Sequence, residues 1–150
     1  MTSSMVTIRQ MQAGDEPALR ALWCAAWDAT YPAIDYQLRW PAMWERWQTM
    51  AAEIHLALRG RDVIGMLVLA PGEDGLVLDQ ITLPPTEQGS GTAHLLMNFA
   101  KRKAASRLTL TVNAFNRRAI RFYEREGFKR TGSGINATSG LSTFDYEWRR

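Results

Sequence analysis

Residues 88–93 read QGSGTA, and they fall between the strand-like LVLDQITLPP at 76–85 and the helical AHLLMNFAKR at 93–102. Two glycines and a serine leave a row of nearly bare backbone N–H groups where a helix begins. The first turn of a helix has unpaired donors and a positive dipole end, so such a loop is a seat for an anion. Its reading decides both the fold and the chemistry of the chain.

Two common nucleotide loops are excluded. A Walker-type loop ends in Gly-Lys-Ser/Thr, but Gly91 is followed by Thr92 and Ala93, so no lysine reaches the phosphates. A dinucleotide fingerprint needs a third glycine, and that position is His94.

Around this loop the periodicity predicts β, α, α, β, β, β, α, β, α, β, β. Val6 and Ile8 alternate with polar residues, giving a first strand. Gly14-Asp15-Glu16-Pro17 reads as a helix start with Asp15 as a possible cap. Leu19, Leu22, Trp23 and Ala26 follow at helical spacing, and the aromatic stretch 27–47 reads as helix, loop and helix. IHLALRG and DVIGMLVLA form a hairpin through Arg59-Gly60-Arg61-Asp62, and LVLDQITL is the next strand. Beyond the loop, Leu96, Phe99, Ala100 and Ala104 line one helix face, and LTLTV puts Leu108, Leu110 and Val112 on one strand face. Asn116 opens a short helix that Gly127 ends; Phe128 starts another strand and FDYEW is the last. The expected class is α/β with a mixed sheet, in which a helix crossover joins two parallel central strands. A ligand at their C-terminal ends would lie at the helix N-terminus.

At 150 residues the chain fits one domain spanning 1–150. A formal net charge of +3 favours an acidic ligand without arguing for nucleic acid. The basic runs KRKAASR and NRRAIRFYEREGFKR are interrupted by acids and read mainly as solvated faces. One cysteine, Cys24, rules out an internal disulfide and a cysteine-based metal cluster. No metal, nucleic-acid or membrane partner is expected. MTSSMVTIRQMQ has no long apolar region, and the expected setting is cytoplasmic.

The pattern Gln88-x-x-Gly91-x-Ala93 resembles the acetyl-CoA pyrophosphate loop of the GNAT superfamily of N-acetyltransferases. Asn116, Ala119, Tyr123 and Gly127-Phe128, in NRRAIRFYEREGF, resemble the second signature of that family. The element order is similar as well, from Val6 to the C-terminus. The resemblance implies a central, mostly antiparallel sheet whose parallel central strands splay apart, with flanking helices. It implies acetyl-CoA as donor and an amine as acceptor, and homodimers are frequent in the family.

What each residue would do follows from the resemblance. Backbone N–H groups of Gly89, Ser90, Gly91, Thr92, Ala93 and His94, after Gln88, would hold the pyrophosphate. Backbone groups of Ile81, Thr82 and Leu83 would pair with the pantetheine arm like an added strand. Asn116 would bond the pantetheine or cap its helix, and Arg117 or Arg118 would reach a CoA phosphate. The Tyr123 hydroxyl would point at the CoA sulfur; its competing reading is a core aromatic beside Ile120. Some members carry a glutamate five residues before this Asn, where the present chain has Thr111, so the nearest carboxylate is Asp79, acting directly or through water. Its competing reading is a solvated edge residue. Cys24 lies too early for an acetyl-enzyme nucleophile, so the amine would attack directly.

Trp27, Tyr31, Tyr36 and Trp40 could roof an acceptor pocket or pack the helices, with Trp27 and Tyr31 nearest the acceptor. Asp28 and Asp35 would attract a cationic amine or cap and solvate the loop. The aromatic loop favours a small-molecule acceptor over a peptide amine. His55 reads as a strand residue without an assigned role. Two rival readings are a CoA-binding module without turnover and a basic interaction domain; the second leaves both motifs unexplained.

Overall fold

The computed structural model describes residues 5–150. Its elements follow the predicted order: β1 (Val6–Gln10), α1 (Glu16–Thr30), α2 (Tyr36–Thr49), β2 (Glu53–Arg59), β3 (Asp62–Gly72), β4 (Gly75–Thr82), α3 (Thr92–Ala104), β5 (Arg107–Asn113), α4 (Arg117–Arg125), β6 (Lys129–Ile135) and β7 (Ser142–Arg149). A single 3-10 turn, Pro85–Glu87, lies between β4 and the glycine loop.

The seven strands form one sheet in the order β1-β2-β3-β4-β5-β7-β6. Every pairing is antiparallel except β4 with β5. That parallel pair is short. Only Leu76 with Leu108 and Val77 with Thr109 are in register, and beyond them the two strands part. The facing edges of β4 and β5 are thereby left without strand partners along the gap. A bulge in β4 accompanies the parting: Val68 pairs with Gln80 and Leu69 with Leu78, so Asp79 is the extra residue.

Two apolar clusters cover the two faces of the sheet. On one, Leu96, Met97 and Ala100 of α3 and Tyr123 of α4 pack on Leu67, Leu69, Leu108, Leu110 and Val112. On the other, α1 and α2 bring Leu19, Trp23, Trp40 and Trp47 onto Leu56, Met66 and Val68. With both faces covered, the central residues of β2 and β3 form near-continuous apolar runs. The β5–β7 side of the second face is not covered by these helices, and Thr111 is exposed there. No helix among the described residues is long and apolar enough to cross a membrane.

Local chemistry differs from expectation at Asp15 and Phe99. Asp15 makes no side-chain cap; it pairs with Arg9 at 2.7 Å and accepts from the Gln12 N–H at 2.7 Å. The competition is won by the cation, since a charge-assisted bond is about twice as strong as a neutral one. Asp35, by contrast, caps α2 by accepting from Leu38 N. Phe99 is only half-buried on α3, where Met97 takes the fully buried place.

Candidate active site

A cleft of about 470 Å³ opens where β4 and β5 part. Its walls come from both sides of the sheet. The α3 start and α4 supply one side, and Ala26, Trp27 and Thr30 of α1 the other. Ile81, Thr82 and Leu83, at and just beyond the end of β4, form the wall between them.

The glycine loop enters this cleft in a preformed shape. Gly89 and Gly91 have φ of 82° and 90°, the left-handed region that glycine enters without a Cβ penalty. A Cβ built on either meets nothing within 4 Å, so the space in front of the loop is open. The N–H groups of Ser90 and Thr92 are taken by Glu87 O and Ser90 Oγ. Those of Gly89, Gly91, Ala93 and His94 have no partner among the described residues. Four free donors at a helix N-terminus suit a diphosphate.

The loop is braced from behind. Glu87, with a side chain only 12% exposed, accepts from Arg59 Nη1 at 2.7 Å and from Thr92 Oγ1 at 3.3 Å. The Ser90 hydroxyl donates to Glu87 O at 2.6 Å, and its Oγ lies 2.9 Å from Thr92 Oγ1. Arg59 holds the Glu87 carboxyl below its ordinary range, chiefly by that hydrogen bond. A carboxylate bordering an anion seat is thus neutralised by an arginine.

Of the residues expected to hold the donor, Ile81, Thr82, Leu83, Gln88, Gly89, Gly91, Ala93, His94, Asn116 and Arg118 border the cleft. Ser90 and Thr92 do not; their hydroxyls belong to the brace. Ile81 and Leu83 are partly buried against the core and also line the gap. Asn116 caps α4 by accepting from Ala119 N at 3.3 Å and also borders the cleft.

Tyr123 is both a core aromatic and part of the cleft lining. Its ring packs against Phe122 and Phe128 at centroid distances of 5.7 and 5.8 Å. It also borders the cleft, and its hydroxyl has no hydrogen-bond partner among the described residues. Burial pushes the phenol pKa well up, so it stays an O–H donor.

Asp79 stands outside the cleft lining. Arg46 of α2 grips its carboxylate in a two-bond fork at 2.7 and 2.9 Å, and Trp47 Nε1 donates a third bond at 2.7 Å. The bulge turns this side chain toward α2. The carboxylate locks a helix to the sheet and is not a solvated edge group. The two carboxylates that do border the cleft are also engaged: Glu87 by Arg59, and Glu126 by His94 Nδ1 at 2.9 Å and Lys101 Nζ at 3.9 Å. Asn98 Nδ2 lies 3.1 Å from His94 Nε2, so both ring nitrogens of His94 have polar partners.

The aromatic stretch divides. Tyr36 and Trp40 are buried in the α1–α2 core. Trp27 stacks on Tyr36 and borders the cleft, with an indole N–H that is buried and unpartnered. Tyr31 does not border the cleft; it pairs with Phe115 at 4.8 Å, joining the end of α1 to the β5–α4 loop. Burial pushes the Cys24 thiol pKa up, which keeps it out of nucleophilic chemistry. Residues missed in the sequence are Ala26, Thr30, Glu87, Phe122, Arg125 and Glu126. Asn116, Ala119, Tyr123 and Glu126 fall at helical spacing, so one face of α4 carried the signal for Glu126.

A model described as the acetyltransferase (GNAT) family matches residues 17–128. The peptidyl-lysine N-acetyltransferase YjaB of Escherichia coli is 29% identical over 130 residues, covering 85% of each chain. The solution structure of apo YjaB superposes with a TM-score of 0.77 at 22% identity, covering 96% of this chain and 97% of that one. The PaiA N-acetyltransferase of Thermoplasma acidophilum, solved with coenzyme A, gives 0.79 at 18% identity, with 97% and 99% covered. These two likenesses bear on the fold, and the family match bears on the kind of enzyme. With both loop motifs inside the matched region, the chain belongs to the acetyltransferase (GNAT) family.

Proposed function

We propose that the protein transfers an acetyl group from acetyl-CoA to a primary alkylamine by direct attack in a ternary complex. The observation that carries this reading is the cleft through the splayed sheet, with four unpaired N–H groups at one end and the Tyr123 hydroxyl inside it. The N–H groups of Gly89, Gly91, Ala93 and His94 hold the pyrophosphate, and Arg118 adds a cation beside it. The free edge of β4 at Ile81–Leu83 receives the pantetheine amides as a strand would.

The amine nitrogen attacks the thioester carbon, the C–N bond forms, and the C–S bond then breaks. A thiolate with a solution pKa of about 8.5 is a fair leaving group. Tyr123, whose pKa is raised by burial, stabilises the departing sulfur mainly as a hydrogen-bond donor. Trp27 borders the acceptor end.

Two acceptor classes fit this end of the cleft. Trp27, an aromatic ring at the cleft, favours a small-molecule amine. The likeness to a peptidyl-lysine acetyltransferase favours a lysine side chain, and the burial of Tyr36 and Trp40 removes half of the aromatic roof. Thiol release measured with spermidine, lysine amide and an Nα-acetyl-lysyl peptide separates them. Turnover of the peptide alone rejects the small-molecule acceptor, and no turnover of any amine rejects the transferase reading.

A further inference from the structure

The cleft poses a chemical problem. An alkylamine is mostly protonated at neutral pH and cannot attack until a proton leaves. Asp79, Glu87 and Glu126 are all held by cations or by an indole, and His94 has both nitrogens occupied.

Thr111 lies on β5 two residues past the last parallel pair, Val77 with Thr109, and so at the parting of the strands; it and Asp145 stand beside the cleft, outside its lining. Leu110 and Val112 turn into the core beneath α3 and α4, so Thr111 projects from the opposite face, where it is exposed. That is the face on which α1 brings Trp27 to the cleft. Directly across β5 and β7, Thr111 is paired with Asp145, and its Oγ1 donates to Asp145 Oδ1 at 2.9 Å. This neutral hydroxyl is the carboxylate's hydrogen-bond partner among the described residues, and Asp145 has no ion pair there.

The neighbours keep it so. Glu147, the next charge on that face of β7, is taken by Arg107 and Arg149 at 2.7 and 2.6 Å. On β6, Lys129 is in register with Glu147, and Asp145 faces Gly132 instead. A Cβ at Gly132 would fall 3.3 Å from Asp145 Oδ2 and crowd it. A bulge at Thr131 sets that register.

We propose that Thr111 and Asp145 form the proton relay that readies the acceptor amine; this rests on the transferase reading above. An ammonium N–H donates to Thr111 Oγ1, whose own proton already points at Asp145. The ammonium proton passes to Oγ1 as the hydroxyl proton passes to Oδ1, leaving a neutral amine, an intact threonine and a protonated Asp145. The nitrogen lone pair then forms the C–N bond. The second N–H proton ends on the sulfur released from the C–S bond, and Asp145 returns its proton to water. Proton removal and sulfur stabilisation by Tyr123 thus occur on opposite faces of the sheet, one on each side of the thioester.

The test compares the wild type with Asp145→Asn, Thr111→Val and Thr111→Ser, using the amine of the panel above that the wild type turns over fastest. Asp145→Asn and Thr111→Val should lower kcat by about 10- to 100-fold at pH 7, the lower part of the range for general-base catalysis. The deficit should shrink at least threefold by pH 9, as the amine loses its proton to water. Thr111→Ser should keep kcat within about threefold, because the hydroxyl is retained. Acetyl-CoA affinity should hold in all three. A kcat within twofold of wild type for both Asp145→Asn and Thr111→Val overturns the relay, as does a deficit equal at pH 7 and pH 9. A wild type that acetylates no amine overturns the transferase reading itself and the relay with it.

Discussion

Arg59 Nη1 at the end of β2 lies 2.7 Å from Oε2 of Glu87, the residue that precedes the QGSGTA loop. The pair joins a sheet strand to the anion seat without occupying it. Through Thr92 Oγ1 and Ser90 Oγ, the shape of the loop is set before any ligand arrives. A preordered loop loses less entropy on binding, so this brace acts on donor affinity.

Arg59→Ala and Glu87→Ala should each weaken acetyl-CoA binding about 5- to 10-fold, a modest loss suited to a partly exposed charge-assisted contact. Calorimetric titration gives the affinity, and kcat at saturating donor should stay within twofold. An equal fall in kcat would place the pair in the chemistry instead.

Removal of the Tyr123 hydroxyl should act in the opposite manner. Tyr123→Phe keeps the ring contacts with Phe122 and Phe128, so folding and donor affinity should hold while kcat falls about 10- to 100-fold. Burial raises the phenol above its solution value, so it stays protonated throughout pH 6–10. No alkaline fall in rate over that range should disappear in the variant.

Asp79→Asn should behave as a stability mutant. The carboxylate accepts two bonds from Arg46 and one from Trp47, and an amide satisfies only part of that set. The expected loss is about 1–3 kcal/mol, seen as a lower denaturation midpoint, with kcat retained to within about threefold. A folded variant with kcat down a hundredfold would restore Asp79 to the chemistry.

His55 is buried on β2 against Phe99, and its Nδ1 has no partner. Burial lowers its pKa, so below about pH 6.5 the unfolded chain takes up a proton that the folded one resists. Stability from this residue is therefore present above pH 6.5 and is lost as the pH falls. Melting scans at pH 7.5 and 5.5 should show a smaller drop for His55→Phe than for the wild type.

Much of this architecture was legible because it rests on local pattern. QGSGTA and NRRAIRFYEREGF each carry a turn, a cap and a helix face within a few residues, and both border the cleft. Asp79 shows what pattern does not reveal. Its position on β4 was readable, but the bulge that swings it toward Arg46 and Trp47 arises from register with β3. Glu87 and Arg59 are 28 residues apart, and nothing in either segment announces the other. The aromatic stretch failed for another reason: core and pocket draw on the same residue types, and only packing separates Tyr36 and Trp40 from Trp27.

The central claim is that the glycine loop seats the pyrophosphate of acetyl-CoA, and thermal unfolding of wild type and Gly91→Glu with and without the donor tests it most directly. A Cβ at Gly91 meets nothing within 4 Å, so the variant should fold, at a cost of about 1–2 kcal/mol for a side chain at φ of 90°. At a donor concentration about 100-fold above Kd, the wild type should gain about 2.7 kcal/mol, or about 5–10 °C in Tm. Gly91→Glu should show no shift, because its carboxylate enters the anion seat. A wild type that does not respond to acetyl-CoA, or a variant that responds equally, would contradict the account.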